Sequence, residues 1–283
     1  MPETLPLLEV LHGTERYLAE RGVENPRLNA EHLLAHALGL KRMELYLQFD
    51  RALTESERAP LRDLVKRRGT REPLQHVLAT AEFHGRSFIS DQRALIPRPE
   101  TEQLVEFALE IAKSKSTPAI LDIGTGSGVI ALTLALELPD ATAHATDLSP
   151  DALALAAENT ARHAMTERIT FHLADLLPPG DTKFDVIIAN LPYIPSAEIA
   201  SLSPEVRHDP LTALDGGPGG LDLIRRLIDN APLRLAPGGA LLLEIGAGQA
   251  DTVNAYLTER KFRDISVRPD YQNVPRFAVG FHG

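Results

Sequence analysis

Residues 119–138 read AILDIGTGSGVIALTLALEL. An aliphatic run of strand length enters Gly124-Thr125-Gly126-Ser127-Gly128, and an apolar segment of helical length follows directly. A strand that turns through glycines into a helix opens a βαβ unit, which commits the chain to a parallel sheet. The glycines let the backbone turn tightly and let a ligand approach the amides at the helix start.

Downstream, the alternation repeats. TAHATDLS (142–149) reads as a strand, PDALALAAENTARH (150–163) as a helix, and ITFHLAD (169–175) and FDVIIANLPY (184–193) as strands. After a loop come a helix, LDLIRRLIDNAPLRL (221–235), and a strand, GALLLEIG (239–246). Repeated βα units predict an α/β fold with a doubly wound parallel sheet. FRDISVRPDYQNVPRFAVGFHG (262–283) predicts a terminal antiparallel pair.

Upstream, TEQLVEFALEIAK (101–113) is amphipathic, and the Pro-bracketed IPRPE (96–100) marks its entry. LQHVLA (74–79) and EFHGRSFIS (82–90) suggest short strands about a turn. Before them, apolar residues at helical spacing predict a bundle of four or five helices, with a capping box at Thr54 and Glu57 and a turn at Asn25-Pro26. The expected organisation is a helical domain over 1–72, a β-hairpin linker over 73–95 and an α/β domain over 96–283.

The chain has 283 residues and a formal net charge of −10. Residues 1–85 hold 12 basic and 13 acidic groups, so the remainder holds 17 and 26. An acidic α/β domain argues against sequence-independent grip on a polyanion, and no stable nucleic-acid binding is expected. The absence of cysteine removes disulfides, thiolate nucleophiles and Cys-ligated metals. The start, MPETLPLLEV, lacks the features of an export signal, and no apolar stretch reaches spanning length, so a cytoplasmic protein is expected.

The loop spacing is G-x-G-x-G rather than the dinucleotide G-x-G-x-x-G, and Asp122 precedes it, where a pyrophosphate would be repelled. A cationic sulfonium with an amino-acid tail fits better. Asp147 stands 19 residues beyond Gly128 at the next strand end, where a carboxylate accepts ribose hydroxyls. Asp175 is placed at the third strand end to meet an adenine edge, with Leu176 to pack on the ring. Together these describe an S-adenosylmethionine site.

Asn190-Leu191-Pro192-Tyr193 follows the strand FDVIIA. Methylating a planar NH₂ is difficult because its lone pair is delocalised, and no side chain usefully deprotonates it near neutral pH. Two acceptors aimed at the two N–H bonds would polarise it instead. The Asn190 side-chain oxygen and the Leu191 carbonyl are the candidates, with Pro192 shaping the turn and Tyr193 stacking on the planar group.

REPLQHVLATAEFHGRSF (71–88), LIPRPETEQLVE (95–106), LDIGTGSGVIAL (121–132), ATDLSPDALALAAENT (145–160), ANLPYIP (189–195), LDGGPGGLDLIRRLI (214–228) and GGALLLEIGAGQ (238–249) together resemble the release-factor glutamine N5-methyltransferases. The resemblance spans nearly the whole chain, and LIPRPETE and LDGG.GGL discriminate best. It implies a Rossmann-like class I methyltransferase domain behind a helical domain that recognises class 1 peptide release factors. It also implies methylation of the glutamine of their GGQ motif, modulating translation termination, with segment 96–102, Arg98 included, bordering the site.

The family usually reads N-P-P-Y, where this chain has Leu191. Only a backbone carbonyl is expected of that position, so the acceptor should persist while the turn loosens. N-L-P-Y also occurs in ribosomal RNA adenine dimethyltransferases, so an RNA or DNA adenine N6-methyltransferase is the alternative; a cofactor-binding adaptor is the non-enzymatic one. Those RNA enzymes lack LIPRPETE and are basic.

Arg62, Lys66, Arg67, Arg68 and Arg71 form a basic run that reads first as a solvated helix face and second as a contact for an acidic surface of the release factor. Thr101 reads as a helix N-cap. His32 and His36 share a helix face but lack a third ligand, so no metal is expected.

Overall fold

The computed structural model describes residues 4–283; the first three residues of the stretch read for an export signal lie outside them. The chain divides into two compact units, one reaching Thr80 and including Ser203–His208, the other Ala81–Leu202 with Asp209–Gly283.

The first unit contains β1 (Leu5–Pro6), α1 (Leu7–Ala19), α2 (Pro26–Leu38), α3 (Arg42–Leu45), β2 (Ala52–Leu53), α4 (Glu55–Gly69) and α5 (Leu74–Leu78). Its core gathers Leu7, Leu11 and Leu18 of α1, Leu33 and Leu34 of α2, Leu61 of α4 and Val77 of α5. Each such side chain contributes about 1.5–3 kcal/mol by leaving water. α4 starts where its capping box predicts: the Thr54 side chain accepts from the Glu57 amide, and Glu57 reaches back to the Thr54 amide at 2.8 Å.

Two expectations change here. LQHVL is a helix, because Pro73 sets its entry and Ala79, in the left-handed region, ends it one turn later with Val77 in the core. The basic run is not a solvated face at Arg68. That residue lies three, four and seven positions after Val65, Leu64 and Leu61, so the helical period turns it inward, and its side chain is only 6% exposed. Its guanidinium donates to Asn29 Oδ1 at 2.8 Å, the Glu72 carbonyl at 3.1 Å and Glu205 at 3.0 Å. Arg71 donates twice to Glu205, at 2.5 and 2.7 Å. Arg62 is paired with Glu55 and Arg67 with Glu72. Burial alone would raise the Glu205 carboxyl, but the two arginines hold it down at about 2.

The second unit opens with a hairpin of β3 (Thr80–Phe83) and β4 (Arg86–Ile89) about His84-Gly85, both at positive φ as a tight hairpin turn requires. α6 (Pro99–Ala112), β5 (Ala119–Ile123), α7 (Val129–Glu137), β6 (Thr142–Asp147), α8 (Pro150–Arg162), β7 (Ile169–Leu173), β8 (Phe184–Ala189), α9 (Asp222–Asn230), β9 (Leu235–Glu244), α10 (Ala250–Glu259), β10 (Arg263–Pro269) and β11 (Pro275–Phe281) follow. The sequence reading passed over α10.

The seven strands run in the order β10-β11-β9-β8-β5-β6-β7. β9, β8, β5, β6 and β7 are parallel, and β11 and β10 add the antiparallel pair. Side chains alternate cleanly across the sheet: Ile120, Val186, Ile188 and Leu242 face α6 and α7, while Leu121, Ile187, Ala189 and Leu243 face α9 and α10. Chain order reverses between β5 and β8, so a crevice opens at their carboxyl ends. Among the described residues no helix is long and apolar enough to cross a membrane.

Candidate functional site

A cavity of about 400 Å³ opens above that switch point. Its lining includes Gly124–Ser127 after β5, Asp147 and Leu148 after β6, Asp175 and Leu176 after β7, Asn190–Pro192 after β8, and Arg98 and Thr101 of the α6 start. Its size lies in the range of small-ligand sites.

The Gly loop is braced from beneath. Asp122 is fully buried, and its Oδ2 accepts from the Thr125 hydroxyl at 2.6 Å and the Ala131 amide at 3.1 Å. Burial pushes its carboxyl up to about 7 despite those bonds, and the Asp147 charge adds to the effect. Gly124, at φ +70°, passes so close to the Asn190 loop that a Cβ there would stand 2.9 Å from Leu191 Cδ2. At Gly128, φ +81°, a Cβ would stand 2.9 Å from the Ala156 Cβ of α8. Both positions need glycine for conformation and for space.

Asp147 accepts from the Gly126 amide at 2.9 Å and, through its other oxygen, from the Ser149 amide at 2.9 Å. Each oxygen keeps lone-pair capacity for a ligand hydroxyl. Asp175 is half exposed and paired with Arg226 of α9 at 2.7 Å. Leu176 is buried at φ +66°, and its carbonyl accepts from the Thr146 hydroxyl at 2.7 Å. Strand-end carboxylates and an apolar wall at Leu148 and Leu176 beside the Gly loop suit an adenosyl ligand with a cationic tail.

Asn190 sits at the end of β8. Its Nδ2 donates to Thr101 Oγ1 at 3.0 Å, and that hydroxyl donates to Glu244 Oε2 at 2.7 Å. This leaves Oδ1 as the acceptor Asn190 offers to the cavity it lines. Thr101 is not the N-cap: α6 starts at Pro99, Arg98 holds the N-cap position without a side-chain cap bond, and Thr101 is buried within the first turn. Glu244, at the end of β9, is 1% exposed, and burial raises its carboxyl to about 7. The sequence reading missed its part in the site, because nothing local marks an acidic residue 143 positions from its partner.

Leu191 is buried against the core beneath the loop. Tyr193 is not among the residues lining this cavity. Its ring packs toward Gly246, and its hydroxyl is 3.5 Å from Glu244 Oε1, a long contact. Burial, with Glu244 beside it, pushes the phenol up to about 12, so it stays a proton donor. Gln249 ties the loop down: its Nε2 donates to the Tyr193 carbonyl at 2.9 Å and its Oε1 accepts from the Gly246 amide at 2.8 Å. Arg98 donates to the buried Asp209 at 2.9 Å, which fixes the segment between the prolines.

Residues 9–78 match the family described as the PrmC N-terminal domain, and residues 99–208 match that described as ribosomal protein L11 methyltransferase (PrmA). A release factor glutamine methyltransferase of Geobacter sulfurreducens is 46% identical over 281 residues, 99% of this chain and 98% of the relative. One of Deinococcus radiodurans is 41% identical over 273 residues, 96% and 97% of the two chains. A methyltransferase from Pyrococcus furiosus superposes with a TM-score of 0.52 at 16% identity, over 71% of this chain and 91% of that one, and so shares the fold. The L11 match covers only part of the chain, whereas identity to the release factor enzymes runs through both units, and the chain belongs to the release factor glutamine methyltransferase family.

Proposed function

We propose that this enzyme transfers a methyl group from S-adenosylmethionine to the side-chain amide nitrogen of the GGQ glutamine in class 1 peptide release factors, in the cytoplasm. The observation that carries the reading is the Asn190 amide, held by its nitrogen to Thr101 at the switch point beside the Gly loop.

S-adenosylmethionine bound against the Gly loop supplies an electrophilic methyl on a sulfonium. The protein's task is to make a poor nucleophile competent and to aim it. Asn190 Oδ1 accepts one amide N–H of the substrate and the Leu191 carbonyl accepts the other, which draws the nitrogen lone pair out of conjugation. Fixing both N–H bonds orients that lone pair toward the methyl and removes the entropic cost of finding the geometry. The proton is lost after transfer, when the alkylated nitrogen is far more acidic. Pro192 shapes the turn, and Gln249 holds it by the Tyr193 carbonyl. Asp147 would hold the ribose, and Asp175 with Leu176 the adenine.

The excess of acidic over basic groups after residue 85 weighs against an RNA or DNA adenine substrate. Peptide mass mapping of a release factor incubated with enzyme and S-adenosylmethionine tests the reading. A methyl group on the GGQ glutamine supports it, and one on any other residue overturns it.

A further inference from the structure

Thr101 and Glu244 are buried polar residues on different elements, α6 and β9, and neither is a ligand in the mechanism above. They meet only through the hydroxyl that also receives Asn190. We infer that Thr101 and Glu244 are positioning residues that decide which end of the Asn190 amide faces the substrate. This rests on the reading that Asn190 Oδ1 polarises the substrate amide.

The two ends of an asparagine side chain are nearly isosteric, so shape alone does not choose between them. Flipped, Asn190 would present its NH₂ to the NH₂ of the substrate, two donors face to face, and catalysis would stop. The hydroxyl of Thr101 has a single proton. An ionised Glu244 can only accept, so that proton is committed to Oε2 at 2.7 Å. The Thr101 oxygen then has only lone pairs for Asn190, and the Asn190 end that meets it must be Nδ2, at 3.0 Å. A negative charge on β9 is thereby converted into an amide orientation after β8.

Once protonated, Glu244 can itself donate to Thr101 Oγ1. The Thr101 proton is then free to be donated to Asn190 Oδ1, and the flipped amide is equally satisfied. The groups facing Glu244 are Thr101 and Glu100 from α6, Tyr193 from the loop after β8, and Arg276 of β11, which is also paired with Asp270. Burial and Glu100 favour the protonated form, while Thr101, Tyr193 and Arg276 favour the charged one. With the balance near 7, kcat should fall on the acid side of neutrality as the orienting charge is lost.

The test compares kcat and KM of the wild type, T101S, T101V and E244Q on a full-length release factor between about pH 5 and pH 9, alongside melting temperatures. T101S keeps the hydroxyl and should hold kcat within about threefold, whereas T101V keeps the shape and should lose about 10- to 100-fold in kcat with KM for S-adenosylmethionine within about twofold. E244Q should lose the acid limb of the kcat profile. A T101V enzyme with wild-type kcat overturns the inference, as does equal loss in T101S and T101V, or an acid limb that persists unchanged in E244Q. If T101V melts early, the pH profile of E244Q decides alone. A wild-type enzyme that leaves the GGQ glutamine unmethylated refutes the functional reading instead, so the two failures are distinct.

Discussion

The Cδ2 of Leu191 lies 2.9 Å from the point where a Cβ on Gly124 would stand, so the Asn190 loop and the Gly loop are packed face to face. Leu191 is 4% exposed and joins the core beneath the loop.

Gly124→Ala tests that contact. A Cβ at φ +70° is strained by about 1–2 kcal/mol before the collision with Leu191 is counted. The variant should fold with a lowered melting temperature and bind S-adenosylmethionine at least about tenfold more weakly, as read by titration calorimetry.

Asn190→Ala separates catalysis from cofactor binding. Removing one of two acceptors at the reacting amide should cost about 10²-fold or more in kcat, with the dissociation constant for S-adenosylmethionine changed only slightly. Single-turnover methylation alongside cofactor titration checks both halves, and unchanged turnover would show that the acceptor role is wrong.

How much of this was readable in the chain depended on distance along it. The Gly loop and Asn190 follow a strand directly and Asp147 ends one, so strand and turn patterns located them and the parallel topology brought them together. Thr101 and Glu244 belong to the site only because α6 crosses the end of β9. Thr101 two residues after a proline looks like a cap, and Glu244 looks like the end of a strand. Arg68 was misjudged for a related reason: composition marked a basic run, while the helical period, which puts it in line with Leu61 and Leu64, turned it inward toward Asn29 and Glu205. The five-residue α5 is too short to show a period at all.

Glu205→Ala should expose how far the first unit depends on that inward arginine. It leaves the guanidinium of Arg68, 6% exposed, without its carboxylate, for which a cost of about 2–4 kcal/mol is reasonable given that Glu205 itself is partly solvated. The Glu205 carboxyl is depressed in the fold, so its contribution is present above the unfolded value near 4.5 and is lost as pH falls toward about 2. Urea unfolding at neutral pH should show the loss in the variant, and the gap to wild type should close on acidification through that window.

Asp122 gives the opposite sign. Its carboxyl is raised from 3.8 to about 7, so the fold holds a proton that the unfolded chain releases. Its contribution to stability is complete below the unfolded value and lost as pH rises through about 7. The melting temperature of wild type relative to Asp122→Asn should therefore fall between about pH 5 and pH 8. A pH-independent difference would mean that Asp122 is charged in the fold throughout.

The identity of the methylated group is open to direct assay. Enzyme, labelled S-adenosylmethionine and either an intact release factor, the same factor with its GGQ motif changed to GGA, or ribosomal RNA should give label in the intact factor alone. Label that survives the glutamine change, or that appears in the RNA, would show that the GGQ glutamine is not the methyl acceptor.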